Sequence, residues 1–272
     1  MKKIPCSIPI LTLNSEKHLR QCLESVRDFD DAFLVDGNST DKTLEIAKEF
    51  GVKVYKQVET DEPNVKIKNF TEVRIKAFNL TKHDWYFDLD SDEYLSENLV
   101  KKIREIIEGG TDINFAFNVP KKYIIRGKII EHAFNYPSYN PRLFNKKSGI
   151  KFFENKAVHE DFFIPQNIKI INLKENIYSR LPDSYKKCVE KDNYYLKLAL
   201  EAMSKKRKKK QTRPQILWIS LKYFLRALKI AMVSIALYFR YGYKKCLPIP
   251  YWWRHVRYHL LVGFYKLKSL LL

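Results

Sequence analysis

Residues 85–93 read WYFDLDSDE, and this stretch sets the interpretation of the whole chain. Its apolar, aromatic start predicts a short buried strand, and four carboxylates follow within the six residues from Asp88 to Glu93. Carboxylates so close together repel one another, and burying them unpaired is costly. A divalent cation removes both problems, and magnesium typically binds one or two carboxylates together with substrate phosphates. The stretch therefore predicts a metal site at a strand end, with Asp90 and Asp92 as candidate ligands. A solvated acidic loop is the alternative.

A second acidic residue stands at the predicted end of another strand. Residues 32–35 are apolar, and Asp36 opens the turn DGNSTD at 36–41. These residue types form turns, and Ser39 or Thr40 can cap the helix that begins near residue 42. Ligands of open α/β sheets bind outside the carboxyl ends of the strands. We therefore expect Asp36 and the acidic stretch to line one nucleotide pocket. One of the two strand ends would bind the base or ribose, and the other would bind the metal and the diphosphate.

The first hundred residues alternate short apolar strands with helical patterns. Strands are predicted near 4–12, 31–36, 52–56 and 84–89, and helices near 15–27, 40–50, 65–80 and 96–108. This alternation is typical of an α/β fold, a mostly parallel Rossmann-like sheet with helices on both faces. The sheet is expected to continue as a mixed extension that carries the acceptor side, with strands near 113–125, 127–135 and 141–146 and a strand pair between 150 and 173.

Several short motifs occur in an order that resembles the family 2 glycosyltransferases, inverting enzymes of the GT-A fold. They are the first strand and its turn at 7–16, the segment 18–26, the turn at 35–43, the segment 74–78, DW at 84–85, LDSDE at 89–93, RLF at 142–144 and VHE at 158–160. The resemblance covers about residues 4–180. The LDSDE and VHE motifs are most similar to the branch that contains lipopolysaccharide inner-core glucosyltransferases. The turn at Asp36 and the segment 79–83 depart from the family's usual pattern.

The resemblance implies a donor site built from matched residues. Asp36 is expected to contact the uracil or ribose of the donor, and Asn14 in the first turn belongs to the same site. Arg74 is expected to help hold the nucleotide diphosphate. Asp90 is expected near the ribose, and Asp92 on the metal that binds the diphosphate.

The resemblance also implies a base in the VHE motif. Glu160 is the candidate that deprotonates the acceptor hydroxyl, and a local environment that raises its pKa would suit it to that task. His159 is its rival, because imidazole titrates nearer the working pH. The residues alone leave the choice open, and outside the family context such a pair is more often a structural hydrogen-bonded pair.

Charge is distributed unevenly along the chain. The 272 residues carry a net charge of +19, and residues 201–272 hold 17 Lys and Arg with one acidic residue, Glu201. That segment therefore carries +16, and the first 200 residues carry only +3. We predict a catalytic domain at 1–180 and a basic helical extension at 181–272 that faces an anionic partner.

The extension combines cations with apolar residues. Six cations at 205–210 precede the apolar segment 216–239, which is interrupted along one helical face by Lys222, Arg226 and Lys229. A spanning helix needs about 20 residues with few or no charges, so this segment is predicted to lie in a membrane interface. The Trp, Tyr and cations of 248–272 suit the headgroup level. We expect peripheral attachment to the inner face of the cell membrane, the alternative being packing on the catalytic domain.

Other classes are disfavoured by the pattern of residues. No phosphate-binding glycine loop is present, and the four cysteines show neither C-x-x-C nor zinc spacing. An EF-hand loop starting at Asp88 fails, because Glu93 stands where glycine is needed and Leu99 where a bidentate Glu belongs. No recognised nucleic-acid-binding fold surrounds the basic run. The N-terminal apolar residues are expected to form a strand rather than a signal peptide.

The sequence thus predicts an inverting glycosyltransferase that depends on Mn²⁺ or Mg²⁺. The expected donor is a nucleotide-diphosphate sugar linked to UDP, and the expected acceptor is a lipid-linked or lipopolysaccharide-type glycan at the membrane surface. Two alternatives remain open. One is a sugar-phosphate nucleotidyltransferase, although the first turn at 12–16 lacks the glycine of such enzymes. The other is a non-catalytic membrane-binding or nucleic-acid-binding paralogue.

Overall fold

The computed structural model describes residues 2–67, 69–152, 162–182, 184–186, 188–190, 192–194, 196–197 and 212–268. The chain divides into two compact units. The first unit comprises Met1–Lys122 and Pro137–Arg180, and the second comprises Tyr123–Tyr136 and Leu181–Leu272.

Strands and helices alternate through the N-terminal part of the first unit. In chain order they are β1 (Ile4–Thr12), α1 (Glu16–Ser25), β2 (Phe29–Asp36), α2 (Thr43–Glu49), β3 (Lys53–Lys56), α3 (Phe70–Asn79), β4 (Trp85–Phe87), β5 (Leu89–Asp90), β6 (Glu93–Leu95) and α4 (Glu97–Glu108). The later strands are β7 (Phe115–Ile125), β8 (Lys128–Ile129), β9 (Tyr139–Asn145), β10 (Lys151–Phe152), β11 (Phe162–Phe163), β12 (Lys169–Asn172) and β13 (Ile177–Arg180).

β1 lies at the centre of the parallel part of the sheet. Its apolar run is almost completely buried, as expected of a strand covered on both faces. It pairs in parallel with β2 on one side and with β4 and β5 on the other. The strand order is β3-β2-β1-β4-β9-β7-β13-β6, and β9 runs antiparallel to both β4 and β7.

Helices pack on both faces of this sheet. Leu19 and Leu23 of α1 join one apolar core together with Ile8 and Ile10 of β1. Leu11 points to the opposite face and belongs to a core with Val73 of α3. The α/β fold class predicted from the alternating pattern is therefore confirmed.

Some predicted boundaries were wrong for identifiable reasons. The helix predicted from residue 65 begins at Phe70, because the Asn69 side chain caps it by accepting a hydrogen bond from the Thr71 N–H at 3.1 Å. The strand predicted at 127–135 is formed only at Lys128–Ile129. Arg126 and Gly127 both have positive φ, which produces a two-residue hairpin turn back onto β7.

The second unit contains two long helices, α5 (Arg213–Tyr241) and α6 (Ile249–Lys268). The described residues between 185 and 197 are also helical. The indole N–H of Trp252 donates to the Tyr238 hydroxyl at 2.8 Å, and the Phe224 and Phe264 ring centroids lie 5.1 Å apart. The later residues of α5 thus contact the earlier residues of α6, and the two helices are antiparallel.

The ends of α5 follow local sequence signals. Pro214 stands in its first turn, where the missing N–H leaves no bond unmade, and Gly242 ends it with a φ of 80°. Among the described residues, no helix is both long enough and apolar enough to cross a bilayer. The basic run at 205–210 lies outside the described residues.

Candidate active site

Three strand ends meet at one edge of the sheet. Thr12 at the end of β1 is in register with Asp36 at the end of β2, and Leu11 is in register with Asp90 at the end of β5. The hydroxyl oxygens of Ser15 and Ser91, in the turns that follow β1 and β5, lie 3.1 Å apart. The predicted meeting of these acidic strand ends is therefore present in the first unit.

Asp36 is buried beneath the turn that it opens. One of its carboxylate oxygens accepts hydrogen bonds from the hydroxyls of Thr12 and Ser39, each at 2.7 Å, and the other accepts the Ser39 backbone N–H at 2.7 Å. A carboxylate offers about four acceptor positions. Asp36 thus orders two strand ends and keeps little acceptor capacity for a ligand.

Glycine is required directly after Asp36. A Cβ at Gly37 would lie 2.6 Å from the Val65 carbonyl oxygen and 2.6 Å from the Gln57 side-chain nitrogen. The Gly37 N–H donates to the Thr12 carbonyl at 3.0 Å. The turn therefore lies close to the backbone of its neighbours, and Gly37 makes that approach possible.

Asn14 connects the turns around the site. It adopts a φ of 50°, which Asn tolerates better than most residues. Its side-chain oxygen accepts the Thr40 N–H at 3.0 Å, and its side-chain nitrogen donates to Asn64 at 2.8 Å. The exposed Asn14 side chain therefore joins the loops after β1, β2 and β3.

Arg74 of α3 pairs with two of the carboxylates of the acidic stretch. It is buried, and its guanidinium lies 2.8 Å from an Asp88 oxygen and 2.5 Å from an Asp90 oxygen. The Asp90 side chain is still 42% exposed. Arg74 thus fixes Asp90 with one carboxylate oxygen held inward.

Glu93 is the centre of a deeper set of ion pairs. Its side chain is fully buried and accepts from Lys121 at 2.8 Å and from both terminal nitrogens of Arg142 at 3.1 Å. It also accepts the Asp90 backbone N–H at 3.3 Å. Arg142 reaches on to the Asp88 carbonyl at 3.0 Å. Glu93 therefore fixes the backbone of the acidic turn from the buried side.

These groups form one balanced set of charges, which we call the buried ionic network. It pairs three cations with three carboxylates: Arg74, Lys121, Arg142, Asp88, Asp90 and Glu93. Burial raises the pKa of Asp90, but the charges of Arg74, Arg142 and Lys121 outweigh it and hold the pKa well below its ordinary value. Burial lowers the pKa of Arg142, and the three carboxylates raise it above its ordinary value. Asp90 is therefore ionised throughout the physiological range.

Asp92 follows in the same turn and is half-buried. Its carbonyl oxygen accepts the Arg180 N–H at 3.0 Å, which fixes its backbone against β13. Asp90 and Asp92 are hard oxygen donors, as magnesium and manganese require. The described part of the chain contains no group of three His, Cys, Asp or Glu that could hold a metal ion by itself. Two carboxylates fit an ion that completes its shell with substrate phosphates.

The candidate bases Glu160 and His159 lie outside the described residues. The RLF motif that precedes them is described and lies in β9, with Leu143 and Phe144 fully buried. Its arginine, Arg142, belongs to the buried ionic network. The proposed roles of the two bases stay predictions.

Sequence reasoning missed the roles of Glu93, Lys121 and Arg142. A signal was present, because Lys121 and Arg142 are cations within predicted strands, and Lys and Arg are seldom buried without a partner. Their common partner, Glu93, lies 28 and 49 positions earlier in the chain. Only the folded sheet brings them together.

The family follows from comparison with known proteins. Residues 7–173 match the model of glycosyl transferase family 2, which is more than half of the chain. The chain belongs to this family. It is therefore a glycosyltransferase by family, as the sequence motifs predicted.

Similar proteins are found among bacteria. An uncharacterized glycosyltransferase of Rickettsia typhi is 28% identical over 237 residues, covering 83% of this chain and 78% of that protein. One from Rickettsia felis is 28% identical over 239 residues, covering 83% and 80%. The crystal structure of S. aureus TarS 1–349 with UDP-GlcNAc is 15% identical, with a TM-score of 0.50 over 99% of this chain and 92% of that one. The last likeness concerns the fold alone.

Proposed function

We propose that this family 2 glycosyltransferase is inverting and metal-dependent, and that it transfers a sugar from a UDP-sugar to a lipid-linked or lipopolysaccharide-type glycan. The supporting observation is that the strand ends at Asp36 and Asp90 meet at the carboxyl edge of the parallel strands, where α/β sheets bind ligands, with Asp92 two residues after Asp90. The family match favours sugar transfer over nucleotidyl transfer.

In this proposal the donor lies across the turns after β1, β2 and β5. Asp36 serves the uracil or ribose, chiefly by ordering the turn at 36–41, and Asn14 holds that turn through its bond with Thr40. Asp90 lies near the ribose and is kept ionised by Arg74. Arg74 contacts the carboxylates of Asp88 and Asp90, and it would help hold the diphosphate by keeping Asp90 in place. The crystal structure of S. aureus TarS 1–349 is in complex with UDP-GlcNAc.

Asp92, with Asp90 beside it, is proposed to hold Mn²⁺ or Mg²⁺. When bound, such an ion supplies positive charge that stabilises the departing diphosphate. The protein's contribution is to keep both carboxylates ionised and in place. Glu93 does this by holding the Asp90 backbone N–H, and Arg74 does it by holding the Asp90 side chain.

The transfer itself is one in-line displacement. The acceptor hydroxyl loses its proton to Glu160 or His159, and its oxygen forms a bond to the anomeric carbon. The bond from that carbon to the diphosphate breaks at the same time, and UDP leaves with the bonding electrons. The sugar is thereby inverted at its anomeric carbon, and the base needs a pKa near the working pH.

We assign catalysis to residues 1–180 and membrane association to the basic extension 181–272. The extension would hold the enzyme on the inner face of the cell membrane, where a lipid-linked acceptor is presented. Tethering both partners to one surface raises their effective concentration. The lipopolysaccharide core is the proposed acceptor class because of the LDSDE and VHE motifs.

UDP release from a panel of UDP-sugars, with lipid-linked glycans as acceptors, tests the proposal. We expect turnover with one sugar that requires Mn²⁺ or Mg²⁺. Glu160→Gln should abolish turnover, whereas His159→Gln should slow it less, if Glu160 is the base. The reverse ranking would assign the base to His159. Turnover that is insensitive to both substitutions would contradict the proposed base, and no turnover with any sugar would contradict the function.

A further inference from the structure

One face of α5 is both apolar and open to solvent. Positions 218, 221, 225, 228, 232, 235 and 239 carry Trp, Leu, Leu, Leu, Met, Ile and Phe, and these side chains are from 45% to 89% exposed. The spacing alternates between three and four residues, so they form a single stripe along the helix. We call it the apolar stripe. It extends for about 30 Å at the rise of an α-helix.

α6 continues this surface. Its exposed apolar residues include Trp253 and Phe264, each one position after a residue that packs on α5, namely Trp252 and Gly263. On α5 the stripe residue Leu225 likewise follows Phe224, which packs on Gly263. Successive residues of an α-helix are rotated by about 100° around its axis. Because α5 and α6 are antiparallel, a residue that follows a contact residue on either helix therefore points to the same side of the helix pair. The two helices thus present one apolar face.

Cations border the apolar stripe. Lys222, Arg226 and Lys229 are exposed, and each comes one position after a leucine of the stripe. The Lys222 ammonium lies 5.2 Å from the centroid of the Trp218 ring, at the edge of the stripe. No acidic residue occurs anywhere from Ala202 to Leu272. The positive charge at this border has no counter-charge within the C-terminal 71 residues.

Charge decides which partner suits this face. The three-and-four spacing would also suit a coiled coil with a second copy of the chain. In such a dimer, Lys222 and Lys229 of one copy would lie next to cations of the other copy, and α5 has no acidic residue to pair with them. Like charges at such positions are destabilising. An anionic bilayer instead accepts the apolar side chains below the headgroups and the cations among them. Trp218 and Trp253 suit the same level.

We propose that the apolar stripe of α5, with the exposed residues of α6, is the surface that lies in an anionic bilayer, with Lys222, Arg226 and Lys229 on lipid phosphates. This inference rests on the proposed function only for its location at a membrane. The geometry that carries it belongs to the second unit, whereas the donor site belongs to the first.

Vesicle sedimentation of the full chain tests the proposal, with phosphatidylcholine alone and mixed with phosphatidylglycerol. L225Q/L228Q/M232Q should weaken binding to mixed vesicles roughly a thousandfold, because each of the three buried apolar side chains contributes about a tenfold factor. K222Q/R226Q/K229Q should weaken it roughly fivefold per charge, and only when phosphatidylglycerol is present. The basic run at 205–210 is unchanged in both variants, so its contribution is constant.

Matched controls are available in the first unit. V54Q/V58Q/I171Q replaces three exposed apolar residues there, and K17Q/K48Q/K53Q replaces three exposed lysines. Both controls should bind vesicles as the wild type does. Equal circular dichroism and equal manganese-dependent UDP binding in all variants would show that the fold and the donor site are intact.

Three results would overturn the inference. The wild type could fail to bind mixed vesicles, or the apolar-stripe variant could bind them unchanged. A dimer in analytical ultracentrifugation that L225Q/L228Q/M232Q dissociates would assign the face to a second copy. Failure of UDP binding with intact vesicle binding would instead contradict the proposed function and leave this inference standing.

Discussion

The buried ionic network and the α5–α6 helix pair differ in how their charged side chains are balanced. In the network three cations meet three carboxylates out of contact with most of the solvent. In the helix pair, exposed cations border an apolar face, and no acidic residue follows Glu201. The comparison shows that charge balanced within the protein fixes geometry, whereas charge left unbalanced at the surface is available for a partner.

The balance of the network explains how an acidic turn can exist before any ligand binds. Four carboxylates between residues 88 and 93 would repel one another. Arg74 pairs with the carboxylates of Asp88 and Asp90, and Lys121 and Arg142 pair with Glu93. Asp92 is thereby placed on a fixed turn beside Asp90. The same cations make the site dependent on strands β7 and β9, far along the chain.

The largest effect is expected at the acidic turn itself. Asp92→Asn removes the proposed metal ligand, so turnover should fall roughly a thousandfold or more, since the metal supplies several kcal/mol of charge stabilisation. Asp61→Asn, at a fully exposed side chain, should leave turnover unchanged. UDP release measures both. Equal turnover in Asp92→Asn and wild type would contradict the assignment of the site.

Breaking the balance of the network should cost stability. Arg142→Met removes one of the two cations that pair with the buried Glu93, so the free energy of unfolding should fall by about 3–5 kcal/mol. Arg27→Met breaks an ion pair with Glu24 at the surface and should cost less than about 1 kcal/mol. Urea unfolding compares the two variants. Equal losses would show that the network is no more than a surface arrangement.

The two regions should respond to acid at different pH. Burial and the charge of Arg254 lower the pKa of His255 to about 4, while Asp192 raises it and His259 lowers it. The unfolded chain then binds more protons between about 4 and 6.5, so the second unit should lose up to about 1.4 kcal/mol of stability per pH unit as pH falls through that range.

The buried ionic network should keep its contribution to stability at lower pH than the second unit does. The pKa of Asp90 is lowered, so its stabilising contribution is complete above its unfolded value near 3.9 and is lost only as pH falls further. Hydrogen exchange as a function of pH can follow both units. His255→Gln should reduce the loss between pH 6.5 and 4, and His259, whose pKa is also lowered by burial and by the charge of Arg226, should account for what remains. A loss of the same size in the variant and the wild type would show that His255 does not cause it.

The smallest effect on stability is expected at the cations that border the apolar stripe. Lys222 and Arg226 are four residues apart on α5, and Arg226 and Lys229 are three apart, so each pair repels slightly. K222Q/R226Q/K229Q relieves this repulsion but loses the contacts of Lys222 with the Trp218 ring and of Arg226 with the Tyr223 ring, so the free energy of unfolding should change by less than about 1 kcal/mol, in contrast to the loss from Arg142→Met. Urea unfolding measures it. A loss above about 1 kcal/mol would show that these cations serve the fold rather than a partner.

Sequence pattern predicted the strands that carry the site but not the contacts beneath it. The buried run of β1 and the turn after Asp36 are local features, and so is the acidic stretch. Glu93 looks like its acidic neighbours in sequence, and its burial depends on the pairing of distant strands. The same holds for α5: the pattern placed Lys222, Arg226 and Lys229 along one face, but which apolar face stays open depends on where α6 packs.

The central claim is that the acidic strand end holds a nucleoside diphosphate through a divalent cation. Calorimetric titration of UDP into the full chain, with and without Mn²⁺, tests it most directly, with Asp92→Asn as the paired variant. We predict binding of UDP that requires Mn²⁺ and is lost in Asp92→Asn. Binding that is equally tight without the metal and in Asp92→Asn would contradict the claim, as would the absence of binding in the wild type.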